Sequence, residues 1–330
     1  MDALSETLRV VRLVGAIFLH GRFSAPWCYQ SPHADAAAPH LEPTAERVVI
    51  FHLVTEGECW CELDDGSPPV RLAAGDAVIF PQGHAHRMGS APGLPPASGG
   101  ARLQEVLSRR PRLLAYGGGG ATTKLVCGYL ACDARLARLL LAGLPPVVKV
   151  SVRGSNAGVW LEASLRYALA EARSPRPGGA GVLAKLAEVL FIEVLRLHMN
   201  EQAEGRTGWL AGVHDRIVGA ALRAMHNQPA QPWTLEELAR VAGTSRSVLA
   251  ERFQHLVGSA PMQYLAQWRM LLASNLLARS NAPLARVAEE VGYQTDTAFS
   301  RAFRREFGLP PAAWRRRQGA AVALPKAGDG

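Results

Sequence analysis

GYQTDTAFSRAFRREFGLPPAAWR, residues 292–315, decides the reading of this chain, because GTSRSVLAERFQHLVGSAPMQY, residues 243–264, repeats its plan. Ala239 pairs with Ala288, Ala242 with Val291 and Gly243 with Gly292 at an offset of 49. The offset then becomes 50, pairing Leu249 with Phe299, Phe253 with Phe303, Gly258 with Gly308, Pro261 with Pro311 and Tyr264 with Trp314. The added residue falls in the segment after the paired glycines, where a turn absorbs it. Two copies of one supersecondary unit are implied.

Each copy reads as helix, tight turn, helix. In the first, Thr234 and Glu237 have the spacing of a capping box, in which hydroxyl and carboxylate satisfy the free N–H groups at a helix start. Leu235, Leu238, Ala239 and Ala242 supply the buried side of that helix. Gly243 takes positive φ without steric cost, and Ser245 caps the next helix. That helix is expected to bury Val248, Leu249, Phe253 and Leu256 and to leave Arg246, Ser247, Ala250 and Glu251 on the open face. The second copy places Pro283 near a helix start, Val287, Ala288 and Val291 inward, Gly292 at the turn and Thr295 as cap. Phe299, Phe303 and Phe307 form its buried stripe, and Asp296, Thr297, Ser300, Arg301, Arg304 and Arg305 its exposed face. One helix over Met262–Ala278 connects the copies.

A helix-turn-helix lays its second helix in the major groove, polar residues near that helix's start reaching base edges while Arg and Lys grip phosphates. Two such units, rigidly joined, address successive groove segments about one helical turn apart. The competing reading is a plain helical bundle, since short helix-turn-helix patterns arise by chance; duplication, glycine placement and charge weigh against it. Residues 210–318 hold fourteen Arg, no Lys and eight carboxylates, a net of +6, out of +8 for all 330 residues. A polyanion would be attracted to that third of the chain. From charge alone, a solvated basic face is an equal reading.

Residues 292–315 resemble the signature of the AraC family of transcription regulators, and Trp233 to Met270 resemble its first helix-turn-helix. The resemblance covers about residues 213–317. It implies that Ser247, Ala250 and Glu251 face bases from the first recognition helix, with Arg246 nearer the backbone, and that Asp296, Thr297, Ser300 and Arg301 do so from the second. Ala250 and Glu251 stand where longer polar or basic residues are common, which limits the first unit to a methyl contact or a cytosine amino group.

The rest of the chain reads differently. Residues 91–100, Gly117–Gly120 and residues 174–181 are dense in Gly and Pro and read as loops or linkers, the second as a flexible one. Short strand-like runs, Val48–Val54, Cys59–Leu63, Val70–Leu72, Ala77–Phe80 and Thr122–Leu130, predict a small β-barrel or sandwich. Val159–Ala172 and Val182–Met199 have helical periodicity. In the latter, Leu183, Leu186, Ala187, Leu190, Val194 and Leu197 make a stripe for the core or for a dimer interface.

Gly75, Pro81, Gly83 and His86 fit G-x5-P-x-G-x2-H and resemble the second motif of cupins, small barrels that often hold a metal. The first motif, with its paired histidines and glutamate, is not visible around His52 and Gly57. LSETLRVVRL, SAPWCYQSP, FHLVTEGECW and KLVCGYLACD resemble the cupin-type sensor domain of one AraC subgroup, which implies effector sensing rather than catalysis. His52, Trp60, His84, His86 and Cys127 are the candidate effector-binding residues. His52, His84, His86 and Cys127 would suit zinc or another divalent metal; against this, a histidine beside a turn is usually a surface group and a lone Cys in a strand is usually core. Cys28 and Cys127 are the candidates for oxidant sensing, which needs an accessible, acidic thiol, and Cys59 and Cys61 share a strand face.

The apolar run Val10–Leu19 is interrupted by Arg12 and followed by no cleavage pattern, so neither signal peptide nor membrane span is read. Five cysteines, an odd number, do not form a secreted disulfide framework, and a cytoplasmic location fits. The expected fold is α+β: a cupin-like β-barrel with appended helices over residues 1–205, an all-α double helix-turn-helix over 206–318, and a disordered tail over 319–330. The expected function is one-component transcription regulation. Its partners are double-stranded promoter DNA, a small-molecule, metal or oxidant effector, RNA polymerase if the protein is an activator, a second copy in a homodimer, and no membrane. A metal-dependent cupin enzyme fused to DNA-binding helices is the alternative, and an architectural DNA-binding protein without an effector a third reading.

Overall fold

The uninterrupted apolar run VVIFHLV from Val48 to Val54 has the character of a strand covered on both faces, and it becomes the middle of a sheet. The computed structural model describes residues 2–10, 14–42, 45–96, 113–132, 140–141, 143–153, 159–160, 163–164, 167, 170–171, 176–201 and 207–323. The chain divides into two compact units, Leu13–Glu204 and a second comprising Met1–Arg12 with Gly205–Gly330.

The first unit is a two-sheet sandwich. The strands are β1 (Val14–Ser24), β2 (Cys28–Ser31), β3 (Arg47–Glu56), β4 (Glu58–Leu63), β5 (Val70–Ala73), β6 (Asp76–Phe80), β7 (His86–Gly89), β8 (Leu113–Gly117), β9 (Thr122–Cys132) and β10 (Val148–Ser151). One sheet runs β10-β6-β3-β9-β1-β8 and the other β2-β7-β4-β5. The expected barrel is therefore open, although its cupin-like layering stands. All five expected strands are present; β1 hid in the apolar run after residue 10. Gly117–Gly120 is no flexible linker: Gly118 N donates to Ser24 O at 2.9 Å and Gly120 N to Ala25 O at 2.8 Å, tying the β8–β9 turn to the end of β1.

Strand alternation sends Val48, Ile50 and Val54 of β3, Leu125, Cys127, Tyr129 and Ala131 of β9, and Cys59, Cys61 and Leu63 of β4 into one core between the sheets. A helix over Gly179–Glu201 packs on β1. Ala187, Leu190 and Val194 of its expected stripe are buried and Leu183, Leu186 and Leu197 half-buried, so the stripe serves the core. Half of the expected helix over 159–172 lies outside the described residues.

Among the described residues of the second unit, a helix over Ala3–Val10, α1 here, joins eight others, the first of them Trp209–His214 and Arg216–Asn227. The element that opens the chain thus groups with the C-terminal residues, and the first unit starts at Leu13 rather than at residue 1. After these come Leu235–Val241 and the first recognition helix Arg246–Val257, the linker helix Pro261–Arg279, Leu284–Glu290 and the second recognition helix Asp296–Phe307, and finally Pro311–Ala323. The last helix occupies residues 319–323, where a disordered tail was expected; residues 324–330 lie outside the described residues.

A buried polar knot holds the first half of this unit. The Tyr264 hydroxyl accepts from Trp209 Nε1 at 2.7 Å and gives its proton to His226 Nε2 at 2.8 Å. The His226 ring lies flat on Trp268 at 3.9 Å between centroids. Replacing Tyr264 by Phe strands two buried polar atoms in an apolar surround. The expected loss is about 2–4 kcal/mol in urea unfolding of the full chain; a change below about 0.5 kcal/mol would mean that water satisfies both groups.

Candidate DNA-reading surface and effector site

Each helix-turn-helix is built as its residues dictate. Thr234 Oγ1 accepts from Glu237 N while the Glu237 carboxylate accepts from Thr234 N, closing the capping box. Gly243 and Gly292 sit at φ +65° and +81° in the two turns. Ser245 accepts from Val248 N at 3.3 Å and Thr295 from Ala298 N at 3.2 Å, so both recognition helices start on a side-chain cap.

Burial fixes which face each helix offers. Leu249 and Phe253 anchor the first recognition helix and Phe299, Phe303 and Phe307 the second. Arg246, Ser247, Glu251, Asp296, Thr297, Arg301, Arg304 and Arg305 are exposed, and Ala250 and Ser300 half-exposed. Two expectations fall short: Leu256 is only half-buried, and Val248 is 43% exposed, because it stands one position before the anchoring Leu249 and so faces outward beside Ser247. Glu236 comes within 4.0 Å of Arg246, and Asp215 holds Arg252 through Oδ2 at 2.7 Å from Nε. Sequence reasoning missed Arg252; its ion pair links the first recognition helix to the start of the helix that Asp215 caps.

Between the sheets of the first unit lies a second candidate site. His52 and Cys127 are paired neighbours on β3 and β9, both facing the inter-sheet core, and His86 starts β7. All three are buried. His52 Nε2 and His86 Nε2 are 2.7 Å apart, and His86 Nδ1 is 2.9 Å from the His84 carbonyl oxygen. A carbonyl only accepts, so His86 carries its proton on Nδ1 and accepts at Nε2 from His52. His52 Nδ1 then accepts from the Tyr29 hydroxyl at 3.4 Å, and the Tyr29 oxygen is 3.8 Å from Cys127 Sγ. The result is one directed chain, thiol to phenol to imidazole to imidazole to carbonyl, sealed by Phe80 stacked on His86 at 3.6 Å. Tyr29 was not singled out in the sequence, where it stands only within the segment SAPWCYQSP.

The other expected members stand elsewhere. The His84 ring packs edge-on to His33 at 6.4 Å and contributes only its carbonyl to the chain. Trp60 is half-exposed between the buried Cys59 and Cys61, so alternation turns its side chain away from the core. Among the described residues no group of three or more His, Cys, Asp or Glu is disposed to hold a metal ion. The ring nitrogens of His52 and His86 are spent on hydrogen bonds, and Cys127 lies beyond Tyr29. His52, His84, His86 and Cys127 therefore do not fit a cupin metal in this arrangement. All five cysteines are buried. Burial raises the thiol pKa of Cys28, and pushes that of Cys127 up to about 12.

The comparisons with known proteins agree with this geometry. Residues 2–200 match a cupin family model and residues 238–317 a helix-turn-helix domain model. An AraC-like transcription regulator of Streptomyces lividans is 36% identical over 275 residues, 82% of this chain and 88% of that protein. The chain belongs to the AraC family of transcription regulators. The HTH-type transcriptional regulator AlkR of Acinetobacter baylyi is 29% identical over 96% of this chain and 99% of its own length. The RCS-specific HTH-type transcriptional activator RclR of Escherichia coli is 28% identical over 96% of this chain and 98% of its own. This AraC-type regulator carries its helix-turn-helix match where the two exposed recognition faces are, and these three relatives are transcription regulators. Among the described residues no helix is long and apolar enough to cross a membrane.

Burial lowers the basicity of both core histidines, that of His86 from 6.5 to about 4. Between these values the unfolded chain binds more protons than the folded one, so acidification favours unfolding. The stability that this pair contributes is full above pH 6.5 and declines as the pH falls toward 4. The melting temperature should drop across that window, and drop less in the double variant His52→Gln with His86→Gln. Equal drops in both proteins would remove the pair as the cause.

Proposed function

We propose that this AraC-family protein is a one-component cytoplasmic regulator, in which a small effector acts on the inter-sheet histidine chain and the paired recognition helices read promoter DNA. The observation that carries the reading is the contrast between the two units. One presents exposed Arg301, Arg304 and Arg305 along a single recognition helix, and the other keeps Tyr29, His52, His86 and Cys127 in an otherwise apolar core. Buried polar groups are costly unless satisfied, and here each satisfies the next, so an effector with its own hydrogen-bonding group would have a ready set of partners to exchange with. Such an effector shifts the protein between arrangements of different DNA affinity only by binding one of them better.

In the DNA complex, Ser247, Ala250 and Glu251 of the first helix and Asp296, Thr297, Ser300 and Arg301 of the second face base edges, with Arg246, Arg304 and Arg305 on phosphates. Arg301 carries most of the direct readout, since its fork can bond guanine O6 and N7 together. A metal-dependent enzyme fused to DNA-binding helices has less support, because the histidines lack a third ligand among the described residues.

The test uses an operator found by mapping the sites that the protein occupies in its genome. At fixed salt, Arg301→Ala should weaken specific binding by about 1–3 kcal/mol, and Arg304→Ala should weaken all sequences alike and reduce the salt slope by about 1. Unchanged operator affinity for Arg301→Ala would remove that residue from the readout. For the sensor, Tyr29→Phe should abolish the melting shift caused by an active effector while leaving operator affinity within about twofold of wild type; a retained shift would place the effector elsewhere.

A further inference from the structure

The two helix-turn-helix halves are joined by the linker helix, yet a shared helix alone does not fix the angle between them. Recognition helices that address successive major-groove segments lie about 34 Å apart, so a tilt of only about 6° between the halves displaces one of them by about one base-pair step. Apolar packing along the linker helix is one constraint on that angle, and a directional polar contact that reaches both halves adds a second.

Arg269, in the middle of the linker helix, is placed to do so. Its Nε donates to Pro229 O at 2.7 Å and its Nη2 to Gln231 O at 2.7 Å, two carbonyls of the loop that leads into the first helix-turn-helix. The same guanidinium lies 6.0 Å from the centroid of the Tyr293 ring, in the turn of the second. Gly292, at φ +81°, lets that turn press against the loop: a Cβ there would fall 2.8 Å from Ala230 Cα and O and 2.9 Å from Arg269 Nη2. One half-buried cation thus binds loop, linker helix and turn. Lysine could not substitute, because a single ammonium on a flexible stem lacks the planar fork that spans two carbonyls and lies over a ring.

We infer that Arg269, with Gly292 and the carbonyls of Pro229 and Gln231, is a latch that sets the spacing between the two half-sites this protein accepts. Arg269 is a positioning residue: it touches no DNA and acts through the turn that carries the second recognition helix. The inference rests on both halves reading DNA, so the test must separate the two claims.

Full-length protein is used to select ligands from a randomised duplex library. Wild type is expected to enrich two half-motifs at one centre-to-centre separation, and to bind a duplex with one base pair inserted between them about tenfold more weakly or worse. Arg269→Ala and Arg269→Lys are each expected to enrich the same two half-motifs at several separations, with the penalty for the inserted base pair reduced to about threefold or less. General loss of stability would lower the amount of DNA captured without changing the separation. If Arg269→Ala does not melt cooperatively, Arg269→Lys, which keeps charge and bulk, decides. A single unchanged separation in the folded variant overturns the latch, as does a wild type that enriches only one half-motif. A wild type that enriches no sequence at all fails the DNA-reading claim instead.

Discussion

A recognition helix must be held by one face and offered by the other, and this two-sidedness is the constraint on which the DNA-binding unit depends. Leu249 and Phe253 do the holding in the first copy, and Phe299, Phe303 and Phe307 in the second. Phe303 and Phe307 stack at 4.1 Å and both meet Trp314 edge-on. Because these rings fix rotation about the helix axis, the arginines of the opposite face become an ordered surface instead of a solvated cloud. The left-handed glycines and the Ser245 and Thr295 caps then fix where each helix begins, which is where base contacts are made.

The first unit answers a different demand. It buries polar groups that it could have left out, and it satisfies them in a single direction ending on a backbone carbonyl. Such a chain is sensitive to any molecule that supplies a better donor or acceptor at one of its links, because in a low-dielectric interior an unpaired link is costly. The absence of a three-ligand set among the described residues and the raised thiol pKa of Cys127 both follow from the same packing, which excludes water and spends the lone pairs within the protein.

Legibility in the sequence followed the range of the interactions. The capping box, the paired glycines and the aromatic stripes of residues 234–307 act within a few residues, so counting offsets was enough to place them. Val248 was misplaced because neighbouring Val248 and Leu249 are both apolar and only packing decides which turns inward. His52 and Cys127 could be named as candidates, but Tyr29 could not, and His84 and Trp60 were assigned to a site that strand alternation and the turn before β7 keep them from joining.

By itself, then, the chain's order of residues determined a duplicated helix-turn-helix, a strand-rich cupin-like unit ahead of it, and a membership in the AraC family. Only the tertiary structure decided that His52 and His86 bond to each other, that α1 groups with the C-terminal helices, and that Arg269 ties three segments together. Helix caps and turns are local, and periodicity reports them. Contacts between β3 and β9, or between a linker helix and two distant loops, depend on register and angle, which no short stretch of sequence contains.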